Sequence, residues 1–163
     1  RDDVIRYSRL RVASTLLGRR IDDYRKKNQA PLLLRAGELF SEMTLRSFER
    51  LEADMEDETP ILVGVRPDGT RVPSHGMSEG SRDQLFFALR LAAVEASCSA
   101  GEPMPFVVDD VLVQFDDERG AAALRALADV ALRTQVVLFT HHQHVRSCAR
   151  GITASATVIV HEL

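Results

Sequence analysis

Pro105-Phe106-Val107-Val108-Asp109-Asp110 is a short apolar run that ends in two adjacent carboxylates. This pattern is typical of a buried strand that ends at the edge of a parallel sheet. Open α/β sheets bind their ligands beside the carboxyl ends of their strands. There, one carboxylate can hold Mg²⁺ and the next can orient an attacking water. Because paired aspartates also begin turns and cap helices, the interpretation depends on the flanking sequence.

Strand patterns alternate with helical patterns along the second half of the chain. The helical patterns cover 78–100, 118–132 and 143–149, and the other strand patterns cover 136–139 and 156–160. Such alternation predicts βαβ units and a largely parallel sheet. The strand at 136–139 ends in Thr140 and His141. These two side chains are therefore expected beside the two aspartates, at one edge of the sheet.

The first half of the chain predicts two helices and a hairpin. Spacings of three and four between residues 7 and 28 fit the seam of a coiled coil, and they fit a single amphipathic helix equally well. Pro31 opens a second helical pattern that runs to about Leu51. The turn residues Pro67-Asp68-Gly69 separate two short apolar runs and predict a β-hairpin.

The composition of the 163 residues is that of one globular domain, with 45% hydrophobic and 28% charged residues. No apolar run is long enough for a transmembrane helix, and no signal-peptide core is visible. Two cysteines are too few for a disulfide framework, so we expect a cytoplasmic protein. The first 50 residues are net basic within a chain of net charge −3. Their mixed charges favour solvated helix faces over a nucleic-acid footprint.

A second candidate for ligand binding lies at the start of the long helical pattern. Ser78 is a good N-cap, and Gly80 allows backbone N–H groups to approach a ligand closely. A helix N-terminus of this kind is a natural phosphate site. A phosphate site, a metal-binding carboxylate and a polarising histidine together favour phosphoryl transfer from a nucleotide.

Histidines and a cysteine near the C-terminal end form a competing metal pattern. They are His141, His142, His144 and Cys148. Structural zinc sites usually draw on two separated ligand pairs, and the sequence shows no second pair. We therefore expect His142 and His144 to be exposed or capping residues.

Four motifs resemble, in the same order, the signature helix, Walker B strand, D-loop and switch histidine of ABC-type ATPases. They are most similar to those of the SMC-like DNA-repair ATPases of the SbcC, RecF and YhaN group. The matching segments are Met77-Ser78-Glu79-Gly80-Ser81-Arg82-Asp83-Gln84 with its following helix, Val107-Val108-Asp109-Asp110, Phe115-Asp116-Asp117-Glu118-Arg119 and Phe139-Thr140-His141.

The resemblance implies an α/β fold, namely the C-terminal half of a P-loop NTPase-like head. A parallel sheet with flanking helices would be preceded by the hairpin and the end of a coiled coil. The chain would divide into residues 1–30, the end of a coiled coil or an amphipathic helix, and residues 31–163, the head lobe.

The resemblance also implies roles for individual positions. Asp109 would hold Mg²⁺ through water. Asp110 and His141 would be catalytic, the first as general base or water-orienting group and the second as a γ-phosphate contact. The positions that would bind ATP are Ser78, Gly80, Ser81, Asp116 and Arg90. Among these, the signature residues would meet an ATP on a partner head, Asp116 would order the interface, and Arg90 would couple the signature helix to the head.

The chain departs from the family pattern at Glu79, where glycine is usual, and at Asp110, where most of the wider family has glutamate. It contains no Gly-x-x-x-x-Gly-Lys-Ser/Thr, so we expect the phosphate loop on a missing N-terminal Walker A lobe. Alone, the chain should hydrolyse almost no ATP.

The expected cofactors are ATP and Mg²⁺. The expected partners are the Walker A lobe, a second identical head, DNA and a nuclease, with no membrane. Two alternatives remain open: a non-catalytic scaffold that dimerises with nucleotide, and an ABC ATPase of another process.

Overall fold

The computed structural model describes residues 7, 10–12, 14–16, 31–57, 59–151 and 156–162. The chain divides into two units, Arg1–Leu32 and Leu33–Leu163. In the first unit the described residues between 7 and 16 are helical and exposed. The later part of the predicted seam, at residues 17–28, lies outside the described residues. The coiled coil therefore stays a prediction.

Helix α1 covers residues 31–43 and ends earlier than the sequence pattern predicted. Leu45 and Arg46 both adopt the left-handed conformation, with φ of 52° and 62°, and a right-handed helix cannot continue through it. The N–H of Arg46 donates to the carbonyl of Ser41 at 2.8 Å, which satisfies one carbonyl of the last turn. The prediction of a helix to Leu51 is therefore wrong.

A three-stranded antiparallel sheet follows α1, in the order β1-β2-β3. Its strands are β1 (Arg50–Glu56), β2 (Thr59–Val65) and β3 (Arg71–Pro73). The predicted hairpin is confirmed as β2–β3, with Arg66 donating its N–H to the carbonyl of Thr70 at 2.9 Å and Gly69 at φ 83°. Strand β1 was not predicted, because its sequence is acidic and only Leu51 of its residues is buried.

The second half contains α2 (Glu79–Ala100), β4 (Phe106–Asp109), α3 (Asp117–Val130), β5 (Val136–Phe139) and α4 (Gln143–Gly151). Strands β4 and β5 pair in parallel, so β4-α3-β5 is the βαβ unit that the sequence predicted. The predicted strand at 156–160 is wrong, because this segment pairs with no described strand. Val158 and Ile159 within it remain exposed.

Two polar contacts connect α1 to α2. Arg35 binds Glu95 through Nε at 2.6 Å and Nη2 at 3.0 Å, and Glu95 is buried. The amide of Gln84 donates to the carbonyl of Met43 at 3.2 Å. These contacts lie among fully buried side chains of both helices, including Leu39, Phe40, Met43, Leu85, Phe87 and Leu91. None of the described helices combines the length and apolar character needed to cross a membrane.

Candidate active site

The carboxyl ends of β4 and β5 bring Asp110 and His141 together. The N–H of Asp110 donates to the carbonyl of Phe139 at 3.0 Å, which extends the parallel pairing just beyond β4. The Nδ1 atom of His141 lies 2.7 Å from Oδ2 of Asp110. The two residues predicted to be catalytic are therefore neighbours, and the βαβ connection is what places them so.

The carboxylate of Asp110 is held by a second residue at the same sheet edge. The hydroxyl of Thr140 donates to Oδ1 of Asp110 at 3.1 Å and accepts the N–H of His142 at 3.2 Å. Asp110 itself has φ of 51°, a left-handed conformation that aspartate tolerates better than most residues. The chain thus turns sharply out of β4. The carboxylate keeps a fixed orientation while 29% of the side chain stays exposed.

His142 lies in the same cluster as Asp110 and His141, although it is not among the residues predicted for the site. Its Nε2 lies 3.7 Å from Oδ1 of Asp110, and its ring centroid is 3.9 Å from that of His141. This Nε2 is buried and has no hydrogen-bond partner among the described residues. The side chain as a whole is 35% exposed, and His142 directly precedes α4, where its carbonyl accepts the N–H of Arg146 at 3.3 Å. Only the buried Nε2 departs from the expectation of an exposed or capping residue. The sequence feature that could have indicated this position is the pair of histidines, His141 and His142, that follows the apolar strand β5.

Asp109 is the last residue of β4 and is exposed. Within the described part of the chain its carboxylate enters no ion pair. A solvent-facing carboxylate is a hard oxygen ligand of the kind that Mg²⁺ prefers, so the residue fits the predicted ion. Its role as a metal ligand stays a prediction.

The start of α2 has the capped geometry that the sequence predicted. Ser78 is the N-cap, its hydroxyl accepts the N–H of Ser81 at 3.3 Å, and the two hydroxyls are 2.9 Å apart. A Cβ at Gly80 would lie 3.3 Å from the carbonyl oxygen of Gln114, so the loop between β4 and α3 runs close to this helix start. The first backbone N–H groups of a helix lack intrahelical acceptors and therefore suit an anion. Binding of ATP by Ser78, Gly80 and Ser81 stays a prediction.

Asp116 and Arg90 take separate positions. Asp116 is the N-cap of α3: its Oδ1 accepts the N–H of Arg119 at 2.9 Å, and its Oδ2 lies 3.4 Å from Nε of that residue. Arg90 is exposed on α2 and forms no ion pair with any residue that the structure describes. The hydrogen bonds and ion pairs of the described residues thus join Asp110 to His141 and Ser78 to Ser81, and they link neither pair to Asp116 or Arg90.

The sequence of the chain has a curated relative of much greater length. The chain is 30% identical over 143 residues to the uncharacterised protein YhaN of Bacillus subtilis (strain 168). The match covers 86% of this chain and 14% of YhaN, so the chain spans a small part of that relative. No protein-family model matches the chain.

The fold is similar to that of solved SMC heads. A chain from a structural study of ATP-driven dimerisation and DNA-stimulated activation of SMC ATPases superposes with a TM-score of 0.64 at 11% identity, over 78% of this chain and 77% of that one. The Smc head domain of Pyrococcus furiosus, with an extended coiled coil and bound to the C-terminal domain of ScpA, gives 0.59 at 12% identity, over 75% and 31%. The SMC head domain from Thermotoga maritima gives 0.54 at 19% identity, over 77% and 43%.

At such identities the similarity concerns the fold, and it confirms the α/β architecture with its small parallel sheet and antiparallel hairpin sheet. Together with the YhaN match, it also confirms the resemblance that the four motifs indicated. The chain is thus similar in sequence to a part of YhaN and in fold to the head domains of SMC ATPases.

Proposed function

We propose that the chain is the C-terminal lobe of the ATPase head of an SMC-like ATPase that acts in DNA repair or on chromosomes. Residues 31–163 would form this lobe, and residues 1–30 would be the end of a coiled coil or an amphipathic helix. The observation that carries the proposal is the 2.7 Å contact between Asp110 and His141, at the carboxyl edge of a parallel strand pair within an SMC-type head fold. That edge is where α/β sheets hold their ligands.

Asp110 orients the attacking water and accepts its proton. The bond from Thr140 fixes one carboxylate oxygen and His141 lies against the other, so the group is oriented before substrate binds. When both nitrogens of His141 carry protons, Nδ1 donates to Asp110 and Nε2 is free to donate to a phosphate oxygen. Aspartate is shorter than the glutamate that is usual at this position in the family pattern, which favours slow turnover.

Asp109 is the residue that would hold Mg²⁺, and the ion would supply charge neutralisation at the phosphates of ATP. The phosphate loop would come from an N-terminal Walker A lobe, because the 163 residues contain no such loop. The capped start of α2, with Ser78, Gly80 and Ser81, would meet an ATP that is bound to a second, identical head.

Asp116 would order the interface between the two heads. Arg90 would couple α2 to the rest of the head. Hydrolysis would then release the heads and move the coiled coils, with DNA and a nuclease as the partners that respond. A scaffold that dimerises with nucleotide but does not hydrolyse it is the second candidate. Glu79 favours it, because a carboxylate in the first turn of α2 repels a phosphate placed there.

The test is steady-state ATP hydrolysis by the complete protein, with its phosphate-loop lobe, comparing Asp110→Asn with the parent. We expect a fall of at least about 100-fold, with ATP binding retained, because a positioned general base contributes that much. Asp129→Asn, which changes an exposed carboxylate on α3, is the matched control and should leave the rate unchanged.

Equal hydrolysis by the parent and Asp110→Asn would overturn the role of Asp110. ATP-dependent dimerisation of a parent protein that does not hydrolyse ATP would establish the scaffold instead.

A further inference from the structure

Asp110, His141 and His142 present three metal-ligating side chains to one small volume. One ligand atom from each lies within 4.8 Å of the other two. The nitrogen-to-oxygen distances are 2.7 Å from His141 and 3.7 Å from His142. In a tetrahedral zinc site with bonds of about 2.0–2.1 Å, neighbouring ligand atoms are about 3.3 Å apart. The two distances run to different oxygens of Asp110 and lie on either side of this spacing, so side-chain rotations would bring one oxygen and both nitrogens onto one ion.

The chemistry of the three ligands favours a borderline transition metal over Mg²⁺. Two imidazoles and one carboxylate form the three-ligand set of zinc sites that keep a fourth position open. Mg²⁺ instead prefers oxygen ligands and retains its waters. Asp109, the residue assigned to Mg²⁺, is not part of this cluster.

Two further observations point to a ligand at this position. The Nε2 atom of His142 is buried without a hydrogen-bond partner among the described residues, and coordination of an ion would satisfy it. The Nε2 atom of His144 is also buried without such a partner, but His144 lies outside the cluster. Thr140 bonds both the carboxylate of Asp110 and the backbone N–H of His142. Outer contacts of this kind hold metal ligands in place.

We propose that Asp110, His141 and His142 bind Zn²⁺, or an ion of the same class, with the fourth position open to water. The bound ion coordinates Asp110 and His141, the two residues assigned to hydrolysis. Because neither side chain can then act on water or ATP, the ion inhibits the ATPase. Binding by the chain stands independently of the proposed function, whereas the inhibition rests on it.

The binding test is a calorimetric titration of the 163-residue chain with Zn²⁺. We expect one equivalent to bind, His142→Ala to weaken binding at least about tenfold, and Thr140→Val to weaken it less. His144→Ala is the matched control, because His144 lies 3.2 Å from Asp117 and outside the cluster. Its affinity should match that of the parent.

Substitution with Co²⁺ gives an independent readout, since a tetrahedral site produces intense visible absorption that His142→Ala should abolish. Thermal unfolding of each variant shows whether it remains folded. Absence of binding by the parent, or equal affinity in the parent and a folded His142→Ala, would overturn the site.

The inhibition test uses the complete protein in excess Mg²⁺ with added Zn²⁺. The parent should lose hydrolysis reversibly, with recovery on chelation, while His142→Ala keeps hydrolysing. Equal inhibition of both would overturn the regulatory claim. A parent protein without ATPase activity would overturn the proposed function and with it the inhibition, while the titration decides the metal site separately.

Discussion

The Nδ1 atom of His141 lies 2.7 Å from Oδ2 of Asp110, across the parallel pair β4–β5. Two local features produce this contact. Asp110 turns out of β4 in a left-handed conformation, and its N–H remains bonded to the carbonyl of Phe139. Asp110 directly follows β4 and His141 lies two residues beyond β5, so the ends of the two paired strands bring the side chains together, as a preoriented catalytic pair would require.

Thr140→Val tests whether the hydroxyl positions Asp110. The change removes two hydrogen bonds while keeping the shape of the side chain. In the complete protein we expect kcat to fall about tenfold with the KM for ATP unchanged, because only the orientation of the carboxylate is lost. Thr140→Ser keeps the hydroxyl and should retain the parent kcat. Equal kcat for the valine and serine variants would contradict the positioning role.

Asp116→Ala tests the N-cap of α3. Loss of the bond to the N–H of Arg119 should lower the free energy of unfolding by about 1 kcal/mol, measured by urea denaturation of the chain. Asp116→Asn retains the cap and should unfold like the parent. If Asp116 also orders the head interface through its charge, Asp116→Asn should weaken ATP-dependent dimerisation at unchanged stability. A change below about 0.5 kcal/mol for the alanine variant would contradict the capping role.

Arg35→Met tests the buried pair between α1 and α2. The hydrogen bond from the Arg35 guanidinium holds the pKa of the Glu95 carboxyl below its usual range. A depressed carboxyl pKa contributes stability that is present above the unfolded-state pKa and is lost as the pH falls through the folded-state value. Because Arg35 is 37% exposed and partly screened by water, we expect its loss to cost about 2 kcal/mol at pH 7.

The difference between the parent and Arg35→Met should shrink as the pH falls through the usual carboxyl range towards the lowered pKa of Glu95 in the parent, because Glu95 then becomes protonated in both. Urea denaturation across this pH range gives the measurement. The double variant Arg35→Met/Glu95→Leu is the matched control and should regain most of the stability, because no carboxylate is left buried alone. If the stability difference between the parent and Arg35→Met grew as the pH fell, Arg35 could not be lowering the pKa of Glu95.

Arg46→Gly should stabilise the chain. Arg46 has φ of 62° directly after the last turn of α1, and glycine adopts this conformation without steric penalty. We expect a gain of up to about 1 kcal/mol in the free energy of unfolding, whereas Arg46→Ala, which keeps a Cβ, should give no gain. Equal stability of the glycine and alanine variants would show that the left-handed conformation of residue 46 carries no steric penalty for a side chain.

The β4-α3-β5 unit could be predicted because its strands are short apolar runs that end abruptly in polar residues. Their shared edge then places Asp110 and His141 together. Strand β1 could not be predicted in this way, since it is acidic, largely exposed and stabilised by pairing with β2. The segment at 156–160 was predicted as a strand but does not form one. Its β-branched residues favour a strand, but a strand also needs a partner to pair with.

Other features depend on detail that sequence patterns do not carry. Helix α1 ends at residue 43 because Leu45 and Arg46, two residues with no general preference for the left-handed conformation, adopt it. The buried Nε2 of His142 depends on how the chain leaves β5. The predicted roles of Ser78, Gly80 and Arg90 concern a second head and await direct measurement.

The most direct test of the composite site is ATP hydrolysis by a co-expressed, equimolar mixture of two inactive complete proteins, Asp110→Asn and Ser78→Arg. If Asp110 acts on the ATP of its own head and Ser78 on that of its partner, the mixed dimer contains one doubly altered site and one intact site. Half of the dimers are then mixed with one working site each, so the mixture should recover about a quarter of the parent rate. A mixture no more active than either variant alone would contradict the account.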